Sequence, residues 1–367
     1  MTPQTDTLQK PAETIDDILA WPPQTLPRVA ALLAAKRYWV TDLFRTLRLE
    51  YEAALDGADE PDSREAVEAL MQDLPSARYV QWLHRYNQDQ TWRLCEGMVA
   101  DRLGAIEAAL QPRDGDLGSL STADDIRYPA YYLFDYHRQR GGIWRDAAGA
   151  AVYLLGARIV HIGRNSDFEL HDQFADSIDV ADPARILDIG CGFGKTTFSL
   201  KRRWPSASVE GIDLSAPCLA LGRRMATERG LEIDWRQGDM ELLPHEDASI
   251  DLATITMVLH EMPAEAIATS FAEAARVLKP GGTLVTLENR WLGDPFRDTL
   301  LRWYSQLIDE PYSMPYRDLD IPKMAREAGF ETGETRAWYM KGTSPETEAD
   351  KRKWFTPWAM TVARKAA

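Results

Sequence analysis

The chain has 367 residues, of which 45% are hydrophobic, 27% charged and 10% aromatic, enough apolar material for about two domains. Mean hydropathy is −0.37 and no apolar run reaches roughly 18 residues, so a transmembrane span is not expected. The net charge of −15, with 42 basic against 57 acidic residues, argues against nucleic acid, because binding to phosphates needs a basic footprint.

Met1 to Lys10 is polar and lacks the basic start and apolar stretch of a secretory signal. The three cysteines, Cys95, Cys191 and Cys218, are too widely spaced for a disulfide framework or a zinc site of paired thiolates, and a cytoplasmic location is expected. Residues 1–24, with Pro3 and Pro11, are expected to form a disordered or loosely attached tail. Residues 25–125 read as an all-helical N-terminal domain, with helices at Arg28–Leu55, Ser63–Leu74 and Arg78–Leu110. Most of the acidic excess lies within residues 1–125. In the last helix Trp92, Cys95, Val99, Leu103, Ile106 and Leu110 recur at spacings of three and four. This apolar stripe fits either an intramolecular bundle or the seam of a homodimer.

Pro112 to Thr122, rich in Gly and Asp, reads as a linker. Residues 126–180 are expected to be a connecting segment, in which Tyr128 to Trp144 is dense in aromatic and cationic side chains. From 181 to 367 short β-rich runs alternate with helical ones, which implies βαβ units and a parallel sheet. Strands are predicted at Arg185–Ile189, Ser208–Ile212, Glu232–Arg236, Ile250–Ile255, Thr283–Leu287, Glu334–Met340 and Trp358–Ala363. Helices are predicted near Gly194–Arg203, Ser215–Arg229, Pro263–Leu278, Phe296–Ile308 and Leu319–Ala328.

Asp188-Ile189-Gly190-Cys191-Gly192-Phe193-Gly194 follows a strand and opens a helix, where glycines permit a sharp turn and the helix start offers free N–H groups. The spacing G-x-G-x-G departs from the dinucleotide fingerprint G-x-G-x-x-G. An acid two residues before the first glycine suits a cationic ligand better than a pyrophosphate. Asp213 closes the second strand, where α/β folds bind ribose hydroxyls, and Gly238-Asp239-Met240 follows the third. Three acids in this order describe a pocket for an adenosine that carries positive charge.

These residues resemble the class I S-adenosylmethionine-dependent methyltransferases, together with Ala275-Arg276-Val277-Leu278-Lys279-Pro280-Gly281-Gly282 before the fifth strand. The resemblance covers about half of the chain. It implies an α/β, Rossmann-like, doubly wound seven-stranded sheet whose last strand is antiparallel, here with the helical N-terminal domain added. It also implies S-adenosyl-L-methionine as cofactor and S-adenosyl-L-homocysteine as product. Gly190, Gly192 and Gly194 would surround the methionine portion and Asp188 its amino group. Asp213, followed by Leu214, would hold the ribose, and Asp239 with Met240 the adenine. Met240 would equally suit plain core packing.

The fourth strand ends in Met257-Val258-Leu259-His260-Glu261-Met262-Pro263, without the N-P-P-Y or D-P-P-Y of amide and nucleobase enzymes. His260 is similar in position to the histidine base of plant-type O-methyltransferases, and Glu288 to the acid that orients it. The residues after His260 depart from that pattern, so a role lining the cofactor cavity stays open. The resemblance implies that the segment 126–180 folds over the cofactor as a lid, in which Tyr132, His137 and Arg138 are candidate acceptor ligands, with Arg290 and Arg317 beyond the fifth strand; the aromatics would equally fill a seam between domains. Asn289, Trp291, Tyr312 and Tyr316 lie on the same edge. His84, His161, His171 and His245 show no metal-ligand spacing and read as surface or structural, so no metal is expected. The resulting expectation is a methyltransferase of a small-molecule metabolite, acting at oxygen with His260 as general base, with no nucleic-acid or membrane partner and with a homodimer possible through the helical domain. Nitrogen or sulfur methylation by proximity, a protein- or carrier-bound substrate, and cofactor binding without transfer are the alternatives.

Overall fold

The computed structural model describes residues 13–61, 63–160, 167–290, 294–343 and 358–367. In chain order the N-terminal helices are α1 (Ile15–Ile18), α2 (Leu26–Tyr38), α3 (Phe44–Leu55), α4 (Arg64–Gln72), α5 (Ala77–Ala100) and α6 (Leu103–Leu110). A short strand β1 (Leu120–Ser121) and two further helices, α7 (Ala147–Val160) and α8 (Glu169–Ser177), lead to the main sheet. There β2 (Arg185–Ile189), α9 (Lys195–Arg203), β3 (Ser208–Asp213), α10 (Ala216–Glu228), β4 (Asp234–Gln237), β5 (Ile250–Thr256), α11 (Ala264–Val277) and β6 (Leu278–Asn289) alternate. The chain finishes with α12 (Pro295–Leu307), α13 (Ser313–Arg317), α14 (Ile321–Glu327), β7 (Phe330–Trp338) and β8 (Trp358–Lys365).

The sheet order is β1-β4-β3-β2-β5-β6-β8-β7. Strands β1 to β6 pair in parallel, and β8 runs antiparallel to both β6 and β7. This is the expected doubly wound architecture with a reversed last strand. Ile186, Leu187, Asp188 and Ile189 of β2 are all buried, because helices cover both faces of a parallel sheet.

The sheet has eight strands where seven are expected, since β1 extends the edge beyond β4. It comes from the glycine-rich stretch read as a linker. Ser119 docks it, donating from its N–H (2.9 Å) and hydroxyl (2.6 Å) to Asp234. Gly118 makes the approach possible: its φ is +72°, and an added Cβ would lie 1.9 Å from the Ile233 carbonyl oxygen.

Residues 13–24 do not behave as a loose tail. Thr14 and Asp17 cap α1 reciprocally, Ile15 and Leu19 are fully buried, and the Ile15 N–H donates to Glu228 at 3.0 Å. The Ile15, Ile18 and Leu19 triplet is a one-turn apolar face, hidden in the sequence among prolines. Residues 1–12 lie outside the described residues. The long predicted helix from Arg28 divides into α2 and α3 at a π-type turn, Trp39–Leu43, and the one from Arg78 divides at Asp101–Arg102.

Among the described residues the helical region shares its larger cores with the rest of the chain, and only the small cluster of Val29, Leu32 and Leu94 is its own. Trp92, Cys95, Val99, Ile106 and Leu110 are buried in one cluster with Leu154 and Leu155 of α7, Leu219 of α10, and Phe193 and Trp235. That stripe therefore closes inside the chain and is not a seam between copies. Leu43, Phe44, Leu47 and Tyr51 pack with Phe296, Leu300 and Trp303 of α12, so residues far apart in sequence build one helical layer. The boundaries expected near 125 and 180 thus do not separate independent cores. Within 126–180, α7 and α8 are framework helices that each lend one side chain to the cleft at the ligand-bearing edge of the sheet, Tyr153 and His171, while the stretch before them forms the wall with Tyr131, Tyr132, Tyr136, His137 and Ile143.

Candidate active site

The turn after β2 is fixed by its backbone. The N–H groups of Gly190 and Cys191 donate to the Ile212 carbonyl at 2.8 and 3.1 Å. Gly190, Gly192 and Gly194 have φ of +68°, +55° and +94°, which L side chains adopt with strain. A Cβ on Gly192 would meet only the Tyr153 ring, at 3.6 Å, so this residue faces open space in the cleft. A Cβ on Gly194 would lie 2.3 Å from the Trp235 ring. Gly194 thus belongs to the packing behind the turn and does not line the cleft, contrary to the sequence expectation.

Asp213 organises the same turn. Its carboxylate accepts from the N–H groups of Gly192 and Ser215, both at 2.8 Å, and from the Tyr132 hydroxyl at 3.3 Å. Burial raises its pKa, and these donors oppose the rise. Asp188 is fully buried and accepts from the hydroxyls of Thr197 (2.6 Å) and Thr254 (2.7 Å). Burial pushes its carboxyl up to about 6 despite those bonds. A cation beside it would favour ionisation, which suits the amino group of S-adenosylmethionine. Leu214, Gly238 and Met240 line the adjoining wall. Asp239 does not line the cleft; its carboxylate accepts from the Glu241 N–H at 2.9 Å at the end of β4. The glycine cradle and the buried acids fit the cofactor that the sequence implied.

The empty space of the cleft, counted together with its open mouth, is about 910 Å³. Opposite the glycine turn its wall is a strap bearing Tyr131, Tyr132, Tyr136, His137 and Ile143. The Tyr131 hydroxyl donates to Glu241 at 2.7 Å, and the Tyr136 hydroxyl lies 2.6 Å from the Tyr131 carbonyl and 2.8 Å from that of Glu261. Tyr128 stacks on Tyr132 with centroids 5.9 Å apart. His137 is the latch. Its Nε2 lies 3.2 Å from Glu261 and its Nδ1 3.0 Å from Glu310. Burial opposes protonation, but the two carboxylates hold its pKa well above the ordinary imidazole value. His137 and Arg138 both take left-handed backbone angles, φ +57° and +66°, to reach these partners.

His260 is not placed as a base. It is buried, does not line the cleft, and presents Nδ1 to Glu288 at 2.7 Å. Burial favours the neutral ring, yet Glu288, Glu310 and Glu261 outweigh it and raise the pKa to about 9. An imidazole already protonated at neutral pH has no lone pair to take a proton. Glu288 is fully buried and also accepts from the N–H groups of Val258 (2.9 Å) and Leu259 (2.8 Å). The pair shapes the turn after β5.

The predicted arginine ligands are occupied elsewhere. Arg138 pairs with Asp89 (2.7 Å) and Asp309 (3.0 Å). Arg290 donates to the carbonyls of Leu319 (3.1 Å) and Arg317 (3.0 Å), and buried Arg317 lies 3.7 Å from Asp298. None of the three lines the cleft; Tyr132 and His137 do. Tyr312 meets Tyr131 edge-on, Tyr316 is buried, Asn289 ends β6, and Trp291 lies outside the described residues. His84 is buried between the rings of Trp39 and Tyr304, and His245 lies 3.0 Å from Glu210. His171, read as surface or structural, instead borders the cleft beside Thr196, and His161 lies outside the described residues. Sequence reasoning missed Lys195, Tyr153 and Glu261 in the cleft lining. Lys195 alone carried a signal, as a cation directly after the last glycine. No group of three or more His, Cys, Asp or Glu among the described residues could hold a metal ion.

Residues 186–282 match the family model described as a methyltransferase domain. A demethylmenaquinone methyltransferase of Thermus thermophilus is 42% identical over 106 residues, 29% of this chain and 47% of that one. A ubiquinone/menaquinone biosynthesis C-methyltransferase of Dinoroseobacter shibae is 36% identical over 113 residues, 30% of this chain and 44% of that one. A trans-aconitate 2-methyltransferase of Azoarcus is 34% identical over 130 residues, covering 34% and 49%. The chain spans about half the length of the curated relatives it matches. The sheet and the glycine turn fit the methyltransferase domain that residues 186–282 match. No helix among the described residues is long and apolar enough to cross a membrane.

Proposed function

We propose that the chain methylates a small, flat, largely apolar acceptor held against Tyr131, Tyr132 and Tyr136, without a histidine base. One observation carries this reading: the cleft that gathers Asp188, Gly192 and Asp213 is roofed by an aromatic strap tied down on both sides, through Tyr132 to Asp213 and through His137 to Glu261. When bound, S-adenosylmethionine supplies a methyl group already activated on its sulfonium. The chain's own contribution is to hold the acceptor in line and to exclude water, which can account for most of the rate.

The acceptor preference follows from charge. The lining holds the carboxylates Asp188, Asp213 and Glu261 and no arginine, with Lys195 set beside the glycine turn. A tricarboxylate such as trans-aconitate would meet repulsion there, whereas an aromatic acceptor such as the reduced, quinol form of demethylmenaquinone would find tyrosine faces. With His260 protonated and outside the lining, an acceptor that is already nucleophilic when it binds is favoured over a neutral hydroxyl.

The test uses methyl-labelled S-adenosylmethionine with a cell extract, with demethylmenaquinone kept chemically reduced to its quinol, and with trans-aconitate. Asp213→Ala, which should lose cofactor affinity by about 1.5–3 kcal/mol, is the control. Label in small apolar products of the wild type alone is expected. Label in macromolecules, or on trans-aconitate in preference to the quinol, would refute the acceptor assignment.

A further inference from the structure

The outer face of α5 is aromatic and cationic. Val80, Leu83 and Asn87 turn inward and are buried, and the opposite stripe carries Arg78, Tyr79, Trp82, Arg85, Tyr86 and Arg93 at helical spacing. Tyr79, Trp82 and Tyr86 are 44%, 56% and 47% exposed. Trp82 stacks with Tyr79 at 5.7 Å and with Tyr86 at 5.4 Å, both within 17° of parallel. The three rings form a ladder that covers its own faces and shows its edges to solvent. Arg78, Arg85 and Arg93 are exposed and have no ion-pair partner among the described residues, in a chain whose net charge is −15. The stripe leads to the strap over the cleft. Asp89, one turn past Arg85, pairs with Arg138 at 2.7 Å, and Gln88 donates to the His137 carbonyl at 3.2 Å. Just before His137 the strap exposes Leu133 and Phe134 to a similar degree. Five of the nine large hydrophobic side chains exposed among the described residues thus lie on α5 and the adjoining strap.

We propose that this face docks on an anionic lipid bilayer, with the ladder at headgroup level, the arginines on lipid phosphates and the strap turned toward the membrane. Tyr and Trp, apolar in body and polar at one edge, settle at a membrane interface, and arginine grips phosphate with a planar fork. The charges are complementary: unpaired cations gather on one stripe of an otherwise acidic chain, which orients the molecule as it approaches a negative surface. Nucleic acid fits less well, because bases stack on open aromatic faces and both faces of Trp82 are taken. The expectation of no membrane partner followed from the lack of a spanning segment, and docking at the interface needs none. The docking also has a use in the proposed reaction. A flat apolar acceptor concentrates in the bilayer, and a strap facing the membrane opens the cleft where that acceptor is dissolved. This use rests on the reading of the acceptor as apolar, and the docking itself does not.

The experiment is sedimentation of the full chain with vesicles of phosphatidylcholine, or of an equal mixture of phosphatidylcholine and phosphatidylglycerol. Each arginine beside an anionic surface is worth about fivefold in partitioning, so the three together should give a preference of about a hundredfold for the mixed vesicles, lost in high salt. Arg78→Gln, Arg85→Gln and Arg93→Gln made together should erase that preference, and the same three changes to Lys should keep most of it. Trp82→Ser should weaken binding to both kinds of vesicle about tenfold, and Leu133→Ser about threefold. All five side chains are exposed, and an unchanged Tm separates lost docking from lost folding. No sedimentation with either vesicle, or sedimentation that the arginine and Trp82 variants leave unchanged, would overturn the surface. A dimer dissolved by Trp82→Ser, or an oligonucleotide held in place of vesicles, would assign the face to another occupant and overturn it too. Full binding by Leu133→Ser would overturn the strap's share. None of these measurements uses cofactor or acceptor, so their failure leaves the proposed methylation standing. Vesicle binding without methylation of a vesicle-borne quinol would keep the surface and remove the acceptor.

Discussion

The two walls of the cleft are built on different principles. The wall formed by the glycine turn is a backbone construction: positive φ angles, N–H groups aimed at Ile212 and Asp213, and a helix start, all within residues 188–215. The strap wall is a side-chain construction whose partners lie far away in sequence. His137 meets Glu261 and Glu310, Arg138 meets Asp89 and Asp309, and Tyr131 meets Glu241. A backbone site writes its requirements into adjacent residues, above all glycines. A side-chain site distributes them over the whole chain.

The largest effect that would sharpen this contrast comes from two substitutions within the glycine turn. Gly194→Ala forces a left-handed φ on alanine and drives its methyl into Trp235 at 2.3 Å. Strain and overpacking together should destabilise the chain by about 3 kcal/mol or more, seen as a drop of several degrees in Tm. Gly192→Ala meets nothing closer than 3.6 Å, so it should cost only about 1 kcal/mol in stability, yet its methyl would occupy cleft space and weaken cofactor binding. Equal loss of stability in the two variants would show that the turn does not divide into a packing glycine and a binding glycine.

This division also marks how far the sequence could be read. Strand ends, the glycine turn, Asp188 and Asp213 follow from local rules, and the structure gathers them into one cleft. Gly194 did not separate from Gly192, because both satisfy the same conformational rule and only Trp235, forty-one residues on, distinguishes them. The helix α7 passed unseen inside a presumed lid, because its Ala- and Gly-rich sequence carries little periodic contrast. His260 resembles a histidine base in its position after the fourth strand of the motif, with Glu288 matching the orienting acid; the effect of Glu261 and Glu310 on its charge is visible only in three dimensions.

The intermediate effect tests the latch. His137 carries a pKa raised well above its unfolded value, so its contribution is complete below about pH 6.5 and fades as pH rises through the folded value. His137→Gln leaves Glu261 and Glu310 without their shared cation and should destabilise by about 2 kcal/mol at pH 6, less at high pH. The same sign holds for His260, whose contribution is present below about pH 6.5 and lost as pH rises through about 9. Denaturant titrations of wild type and His137→Gln across this range give the measurement. A difference that grows with pH would mean that the latch is not ionic.

The smallest effect concerns the residue that the sequence placed nearest the acceptor. Arg138 adjoins His137, but its guanidinium turns outward to Asp89 and Asp309, each partner partly exposed to solvent. Ion pairs of this kind contribute about 0–1 kcal/mol, because water screens them and the long side chains lose entropy on pairing. Arg138→Ala should therefore lower stability by no more than that and leave the KM for any acceptor within about twofold. The loss should shrink further in high salt, where His137→Gln, with Glu310 buried and Glu261 only partly exposed, should change less. A large rise in acceptor KM for Arg138→Ala would instead place the guanidinium in the cleft during turnover. The strap would then have to swing inward, since only that movement could exchange Asp89 and Asp309 for an acidic acceptor.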